Sequence, residues 1–590
     1  MGNLQNPKDM SRRNFMALAG GAAGMAAMAA MGIPTKRRAY SANIPDIDIN
    51  SMTIVENKAD VLVVGSGMAG LFAAVKAHDA GAKVLMVSKG GLGTSGQTPF
   101  AKGIFAYDPA AEKMSLDKFV AAVSRSALGT NNPVFTRQMA AHSAARVREL
   151  KGWGFFDSPL YHDSFSKPMA ERNIPIFERI MLTHLIKENS RIAGAAGFSL
   201  DATKIHLFAA KSVILCTGAG GFKPNGFPIC DLTHDGTIMA YCIGAKVTGK
   251  EWNDGHPGQA ENAAACFDGW HGMFERKPGV GGVGIRHDLG VNLNYQAYMT
   301  GNPVVMGPPG MGAGGSRVAE GGPYVPDEFK RYGPPQGERG PRKGPGPGRD
   351  GGPPKEGGAP PGMAETLVGG SSAGMSIHKS EGLVPINDSC ESTISGLYAA
   401  GDALGSHMAG AIYTQIGSSL AGSAVQGAIA GEAASEYCRG VKIPEISNAK
   451  MNNVQQEILA PLKKEAGYSP AWVTQTLQGI MIPNFVLYIK KESLLKAALA
   501  YVEELRDHHM PMLRAVDLHE LRLAHETANM IINAEMKLKA SLMRKESRGS
   551  HFRLDYPDMD TKNWNAWINI YKGKDGKMKL EKQAFETWPA

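Results

Sequence analysis

Cysteine is scarce and scattered in this chain. Six occur in 590 residues (Cys216, Cys230, Cys242, Cys266, Cys390 and Cys438), and none forms C-x-x-C or C-x-x-C-H. That pattern argues against covalent c-type haem and against a cysteine-ligated iron–sulfur cluster in this chain. The six are expected to be mostly buried thiols, and no metal site is predicted. If electrons travel over distance, another subunit must carry them. Long apolar runs are missing too. The longest, Ala17 to Met31, is mildly apolar, of signal-peptide length and too short to span a bilayer. Excess charge is also small. The formal net charge is +8, but residues 1–42 hold six Lys/Arg and one Asp, so the remainder carries only about +3. That is no nucleic-acid footprint.

Residues 11–16 read S-R-R-N-F-M ahead of the Ala17–Met31 run, and together they resemble a twin-arginine export signal. Cleavage is expected near Ala42, after A-Y-S-A, leaving a periplasmic or otherwise extracytoplasmic protein. Twin-arginine export carries folded proteins, often with cofactor bound, and the next motif is of that kind. Residues 60–70 read D-V-L-V-V-G-S-G-M-A-G, an apolar strand running into a G-x-G-x-x-G turn, followed by a small-residue helix from Leu71 to Ala80 and a strand from Lys83 to Val87. Gly65 allows the tight turn, Gly67 lets a pyrophosphate approach the backbone, and Gly70 lets the helix pack on the strand. The helix N-terminus supplies N–H groups to the phosphates. The second strand ends Val87-Ser88-Lys89, without the acidic residue that holds a ribose 2′-OH in NAD proteins. This disfavours NAD and leaves FAD open.

Four further stretches share one signature: S-G-Q-T-P-F-A-K-G-I (95–104), K-S-V-I-L-C-T-G-A-G-G (211–221), G-L-Y-A-A-G-D (396–402) and E-S-R-G-S-H-F-R-L-D-Y-P (546–557). With the first motif, they resemble the flavoprotein subunit of the fumarate reductase and succinate dehydrogenase family, whose relatives include L-aspartate oxidase and the adenylylsulfate reductase α subunit. The resemblance runs from about Asp60 to the end of the chain and thins between about 265 and 365. It implies an α/β fold: a Rossmann-like FAD-binding domain in two stretches (58–253 and 366–440), an inserted capping domain (254–365) and a C-terminal helical domain (441–590). The residues support the last part independently. Asp517 and Glu520 make a capping-box-like start, and Leu521, Ala524, Ala528, Ile531, Ala534, Leu538 and Leu542 recur at helical spacing, as do Leu494, Leu495, Ala498, Val502 and Leu505.

The resemblance also implies flavin contacts. Gly65, Gly67, Ala69 and Gly70 would hold the pyrophosphate, and Ser88 and Lys89 would lie near the adenosine ribose. Thr98 and Gly103 would flank the isoalloxazine, and Asp402 the ribityl chain. Ser419 and Leu420 would stand at a helix N-terminus by a flavin carbonyl, where the helix dipole favours negative charge. Membrane-bound members carry a covalently attached histidine in the 95–98 segment. Gln97 stands there, so FAD is expected to be bound non-covalently.

E-W-N-D-G-H-P-G (251–258) resembles the family's E-F-x-Q-F-H-P-T-G and puts His256 on the substrate-binding histidine. The family's acid is an arginine in R-G-E-G-G. Arg317, in S-R-V-A-E-G-G, is the nearest match, and Arg286 beside His287 is the alternative. Two carboxylate-clamping residues are missing. E-T-L-V-G-G carries Glu365 where the family has histidine, and His407 to Leu420 contains no arginine. Fumarate itself is therefore disfavoured, and a monocarboxylate or a less polar enone fits better. Tyr413 and Gly417 match, in spacing, a pair that holds a ketone oxygen in related ketosteroid dehydrogenases. Gly301 to Gly362 is dominated by Gly and Pro and reads as a long loop, either a lid or a solvated insertion.

The leading expectation is an exported flavin reductase of an activated C=C bond, working with a separate cytochrome or iron–sulfur donor. The alternatives are a dehydrogenase or oxidase of a cyclic ketone or CH–CH substrate, and the flavin subunit of an electron-transfer complex resembling adenylylsulfate reductase.

Overall fold

The computed structural model describes residues 52–109, 114–223, 231–253, 275–283, 285, 304–305, 317–318, 367–368, 379–415, 417–482 and 484–588, with 304–305, 317–318, 367–368 and 484–485 as backbone only. The twin-arginine segment, Cys230, His256, Cys266, Arg286, His287, Glu365 and nearly all of the Gly/Pro-rich stretch lie outside the described residues. Among those described, no helix is long and apolar enough to cross a membrane.

The centre is a seven-stranded sheet. β1 (Thr53–Val64) runs into the glycine turn and α1 (Met68–Asp79), and β2 (Val84–Val87) returns parallel to β1. β3 (Ile176–Phe177) extends the β2 edge. On the other side of β1 lie β4 (Ile180–Glu188), β5 (Arg191–Ser199) and β6 (Lys204–Leu215), joined as antiparallel neighbours, while β6 itself runs parallel to β1.

β6 has two halves with different partners. Ile205–Ala209 pairs with β5, and Val213–Leu215 pairs in parallel with β7 (Leu397–Ala399). The fork brings a strand from far along the sequence to the same edge as the first glycine turn. Backbone bonds tie the strand ends together: Gly65 N–H to Val87 O at 2.8 Å, Cys216 N–H to Val64 O at 2.7 Å and Ala400 N–H to Leu215 O at 2.9 Å. In an open parallel sheet, ligands bind just beyond these carboxyl ends.

α1 is buried almost all round (Met68 to Val75 and Ala77), as a helix apolar on every face must be. α2 (Ser418–Arg439) lies directly on it. A Cβ at Gly427 would fall 2.3 Å from Ala69 O, and one at Gly431 would fall 2.5 Å from Ala73 O, so the approach requires glycine at both positions.

α3 (Leu518–Met543) starts where the sequence predicts. Asp517 accepts the Glu520 N–H at 2.7 Å, and Glu520 accepts the Val516 N–H at 3.2 Å. Leu521, Ala524, Ile531, Ala534 and Leu538 are buried in it, and Leu495, Ala498, Val502 and Leu505 in the neighbouring Glu492–Leu505 segment. The chain does not end helical, which corrects the expectation for 441–590. Ala566–Lys572 and Met578–Ala584 form an antiparallel hairpin that joins Val247–Thr248 and Gly382–Leu383 in a four-stranded sheet. The signal was present: Ile568 and Ile570 alternate with Trp567, Asn569 and Tyr571, and Asp575-Gly576, with Gly576 at φ +75°, makes the turn.

In the capping region, Val304–Val305 pairs between Arg317–Val318 and Leu367–Val368. The stretch read as one loop therefore contains strand, and residues 367–368 pair with the cap rather than with the FAD-domain sheet. Cys216, Cys390 and Cys438 are buried free thiols, as expected, whereas Cys242 is exposed.

Candidate functional site

A cavity of about 360 Å³ opens at the carboxyl ends of β1, β6 and β7, within the size range of cofactor sites. Gly65, Gly67, Ala69, Ser88, Lys89, Thr98, Gly103, Asp402, Ser419 and Leu420 all line it, with Tyr413 and Gly417. Gly70 stands behind the wall. The stretch from Gly65 to Gly103 and the stretch from Asp402 to Leu420, about three hundred residues later, thus converge on one space.

The glycines have distinct reasons. Gly65 is at φ +109°, and a Cβ there would meet Cys216 O at 2.2 Å. One at Gly70 would meet Gly65 O at 1.9 Å. At Gly67 the only side chain among the described residues within 4 Å is Thr98, its hydroxyl at 3.0 Å, so the space over Gly67 is what a diphosphate would fill. Thr98 Oγ1 accepts the Met68 N–H at 3.1 Å, which puts this residue at the α1 N-terminus, the phosphate end of the cavity. Two further hydroxyls in the lining, Thr217 Oγ1 and Ser419 Oγ, are buried without a hydrogen-bond partner among the described residues. Orphaned polar atoms beside a backbone cradle of this kind fit a polar, phosphorylated ligand.

Ser88 Oγ sits 2.6 Å from Ser66 Oγ. Lys89 Nζ donates to Asp235 Oδ2 at 2.7 Å and Glu526 Oε1 at 2.9 Å, so its charge is neutralised within the protein. Burial works against this ammonium, but the two carboxylates outweigh it and raise its pKa. Asp402 is buried and accepts from Lys379 Nζ at 2.9 Å, and Lys379 Nζ also donates to Ser419 O at 2.9 Å. Gly417 caps α2 at φ +77°, with room for no Cβ because Phe105 N would lie 2.7 Å away. Its N–H donates to Tyr413 Oη at 3.0 Å. The Tyr413–Gly417 pair is therefore brought together, with its N–H occupied by the tyrosine itself.

Sequence reasoning missed Lys379, which reads as an ordinary surface lysine in H-K-S-E-G but is fully buried at φ +64°. It also missed a buried ionic hub. Glu381 accepts from Lys250 at 2.5 Å and Lys537 at 2.7 Å and lies 3.3 Å from His234. Burial alone would raise the Glu381 carboxyl, but Lys250 and Lys537 hold it down at about 2. Lys537 also donates to Asn253 Oδ1 at 3.0 Å, and Asn253 donates to Leu487 O at 2.7 Å and Ser550 Oγ at 3.2 Å. The hub thus fixes the last described residue before the segment that carries His256. A readable signal existed: Glu526, Asn533 and Lys537 recur on α3 at helical spacing, a polar seam beside the apolar stripe.

Arg317 has its backbone in the strand opposite Val305, and His256 lies outside the described residues. His407 is buried, stacked on Trp567 at 5.1 Å, and burial pushes it down to about 3, so it is neutral at pH 7.

Two family models match. Residues 60–163 match the FAD binding domain, and residues 474–589 match the fumarate reductase flavoprotein C-terminal domain. The chain is an FAD-dependent oxidoreductase related to the fumarate reductase flavoproteins. An uncharacterized FAD-dependent oxidoreductase of Methanocaldococcus jannaschii is 26% identical over 90% of this flavoprotein and 99% of its own length. One subunit of the CoM/CoB fumarate reductase of Methanothermobacter marburgensis is 24% identical over 85% of this flavoprotein and 95% of its own length. Among solved structures, E. coli quinol fumarate reductase matches with TM-score 0.67 and 18% identity, covering 90% of this chain and 97% of that one. Adenylylsulfate reductase of Archaeoglobus fulgidus matches with TM-score 0.66 and 18% identity, covering 91% and 97%. These two likenesses establish the fold.

The flavoprotein binds FAD. Gly65, Gly67, Thr98, Thr217, Asp402 and Ser419 are the residues whose geometry suits it. With Gln97 in the lining where a covalent histidine would stand, acid precipitation is expected to release all the flavin. Yellow colour remaining in the pellet would contradict this.

Proposed function

We propose that the flavoprotein reduces an activated C=C bond in an unsaturated monocarboxylate or related acceptor, using electrons from a separate partner. Bound FAD supplies the hydride donor. The protein's part is to orient the acceptor, to stabilise charge developing on its activating group and to deliver a proton to the carbon that hydride does not reach. The observation that carries the reading is the FAD cavity itself, walled on one side by a segment, His407 to Leu420, that holds no arginine and only a neutral histidine. A dicarboxylate would find no second clamp there. Relatives named as fumarate reductases support C=C reduction, and relatives named as subunits support a separate electron carrier, either a small cytochrome or an iron–sulfur protein. Twin-arginine export to the periplasm is part of the proposal and rests on residues 11–42.

His256 is assigned to binding the activating group, and Arg317 to the proton, with Arg286 as its competitor. The photoreduced flavoprotein, held anaerobic, is expected to be reoxidised by acrylates or arylacrylates faster than by fumarate. Replacing the proton donor should lower that rate by about 10²–10⁴-fold. Full activity in Arg317→Ala with loss in Arg286→Ala would move the role to Arg286.

A ketone substrate is the second reading, favoured by Tyr413 and Gly417 meeting in the cavity wall. A ketone oxygen would displace the bond between them. No reoxidation by any enoate, with bleaching of the oxidised protein by a saturated cyclic ketone, would establish this reading instead.

A further inference from the structure

Among the described residues, two lysines and no arginine line the flavin cavity. Lys89 is held between Asp235 and Glu526. Lys102 is different. Its ammonium donates to Pro159 O at 2.8 Å and lies 4.2 Å from the centre of the Tyr161 ring, and no carboxylate among the described residues pairs with it. An ammonium carries three donors, so one carbonyl leaves it capacity for a ligand. Burial alone acts on it and lowers its pKa to about 8, which keeps it charged at pH 7.

Its position matters as much as its charge. Lys102 precedes Gly103, and Gly103–Phe105 pairs in parallel with Gly279–Gly281. The Gly279 N–H donates to Lys102 O at 2.9 Å. The lysine therefore stands at the seam between the cavity and the 279–281 strand of the capping region. The diphosphate cradle at Gly65–Gly70 belongs to a different element, the turn between β1 and α1. His407 is neutral, and His407 to Leu420 contributes no other base, so beside His256, assigned to the same activating group, the charge of an anionic substrate needs a partner elsewhere in the lining.

We propose that Lys102 is the specificity-determining cation of this flavoprotein: it binds a carboxylate of the substrate at the seam of the flavin cavity, in the absence of an arginine on the 407–420 segment. The inference rests on the proposed reduction of an unsaturated monocarboxylate and names the group that would recognise it. Tyr161 supports the lysine from behind, with its ring under the ammonium and its hydroxyl donating to Ala101 O at 2.8 Å.

The test uses the oxidised, FAD-loaded protein and two unreactive probes, phenylacetate and phenylacetamide, followed by the perturbation each causes in the flavin absorption spectrum. Lys102→Met should weaken phenylacetate by at least about tenfold, as expected for losing a charge-assisted hydrogen bond. Phenylacetamide should be little affected, and Lys102→Arg should keep most of the phenylacetate affinity. Equal phenylacetate affinity in wild type and Lys102→Met would overturn the proposal. So would loss of FAD from Lys102→Met without any change in phenylacetate affinity of the remaining holoprotein, which would give the lysine to the cofactor. Failure of wild type to bind phenylacetate would overturn it as well. If phenylacetate binds through Lys102 but no enoate reoxidises the reduced flavin, the anion site stands and the reductase reading falls.

Discussion

Glu381→Ala is expected to destabilise the protein by about 3–5 kcal/mol, the cost of leaving buried cations without their partner. The carboxylate is 2% exposed and faces Lys250 and Lys537, themselves at 0% and 2%. Removing it strands two ammonium groups away from water, and His234 loses its neighbour too. Urea denaturation would read the loss, and a change below about 1 kcal/mol would mean that the cluster is solvated. The same residue sets an acid limit. Its carboxyl is held at about 2 in the folded protein, against an ordinary 4.5. Glu526 is held at about 2 as well: burial would raise it, but Lys89 and Lys223 prevail. Between these values the unfolded chain binds more protons than the folded one. Both contributions are therefore complete above pH 4.5 and are lost as pH falls toward 2. Replacing either glutamate should flatten stability across that window.

The second large effect separates two glycines of one turn. Gly70→Ala places a Cβ 1.9 Å from Gly65 O, a backbone atom that cannot rotate away. Overpacking of this kind costs about 1–3 kcal/mol or more, so Tm and FAD retention should fall together. Gly67→Ala meets only the Thr98 hydroxyl, at 3.0 Å. It should fold with nearly unchanged Tm and still purify with little flavin, because the methyl occupies the space that a diphosphate needs. Equal flavin content in Gly67→Ala and wild type would show that the phosphates lie elsewhere.

The first strand, the glycine turn, α1 and the start of α3 were legible because each is a local signal: an apolar run, a glycine spacing, a cap. The cavity was legible in part through motifs such as G-L-Y-A-A-G-D. What could not be read was the outcome of pairing between distant charges. Lys89 reads as a ribose contact, yet Asp235 and Glu526 take its charge. Lys379 and Lys250 look like surface lysines until the chain brings Asp402 and Glu381 to them. The terminal hairpin was missed for another reason. Its alternation and its Asp-Gly turn are present, but the helical assignment of 441–590 comes from the family resemblance, and the helical spacing itself stops at Leu542.

The fork in β6 also sets an order of events during synthesis. Val213–Leu215 has emerged long before Leu397–Ala399, the strand that must lie against it, exists. Glu526 and Lys537, which brace the cavity and the root of the 254 segment, come later still. A ribosome-bound chain stopped before α3 holds the glycine turn and all three strand ends but not the ion pairs behind them. Cofactor capture therefore belongs to the nearly finished polypeptide, and contacts this distant in sequence make its assembly slow.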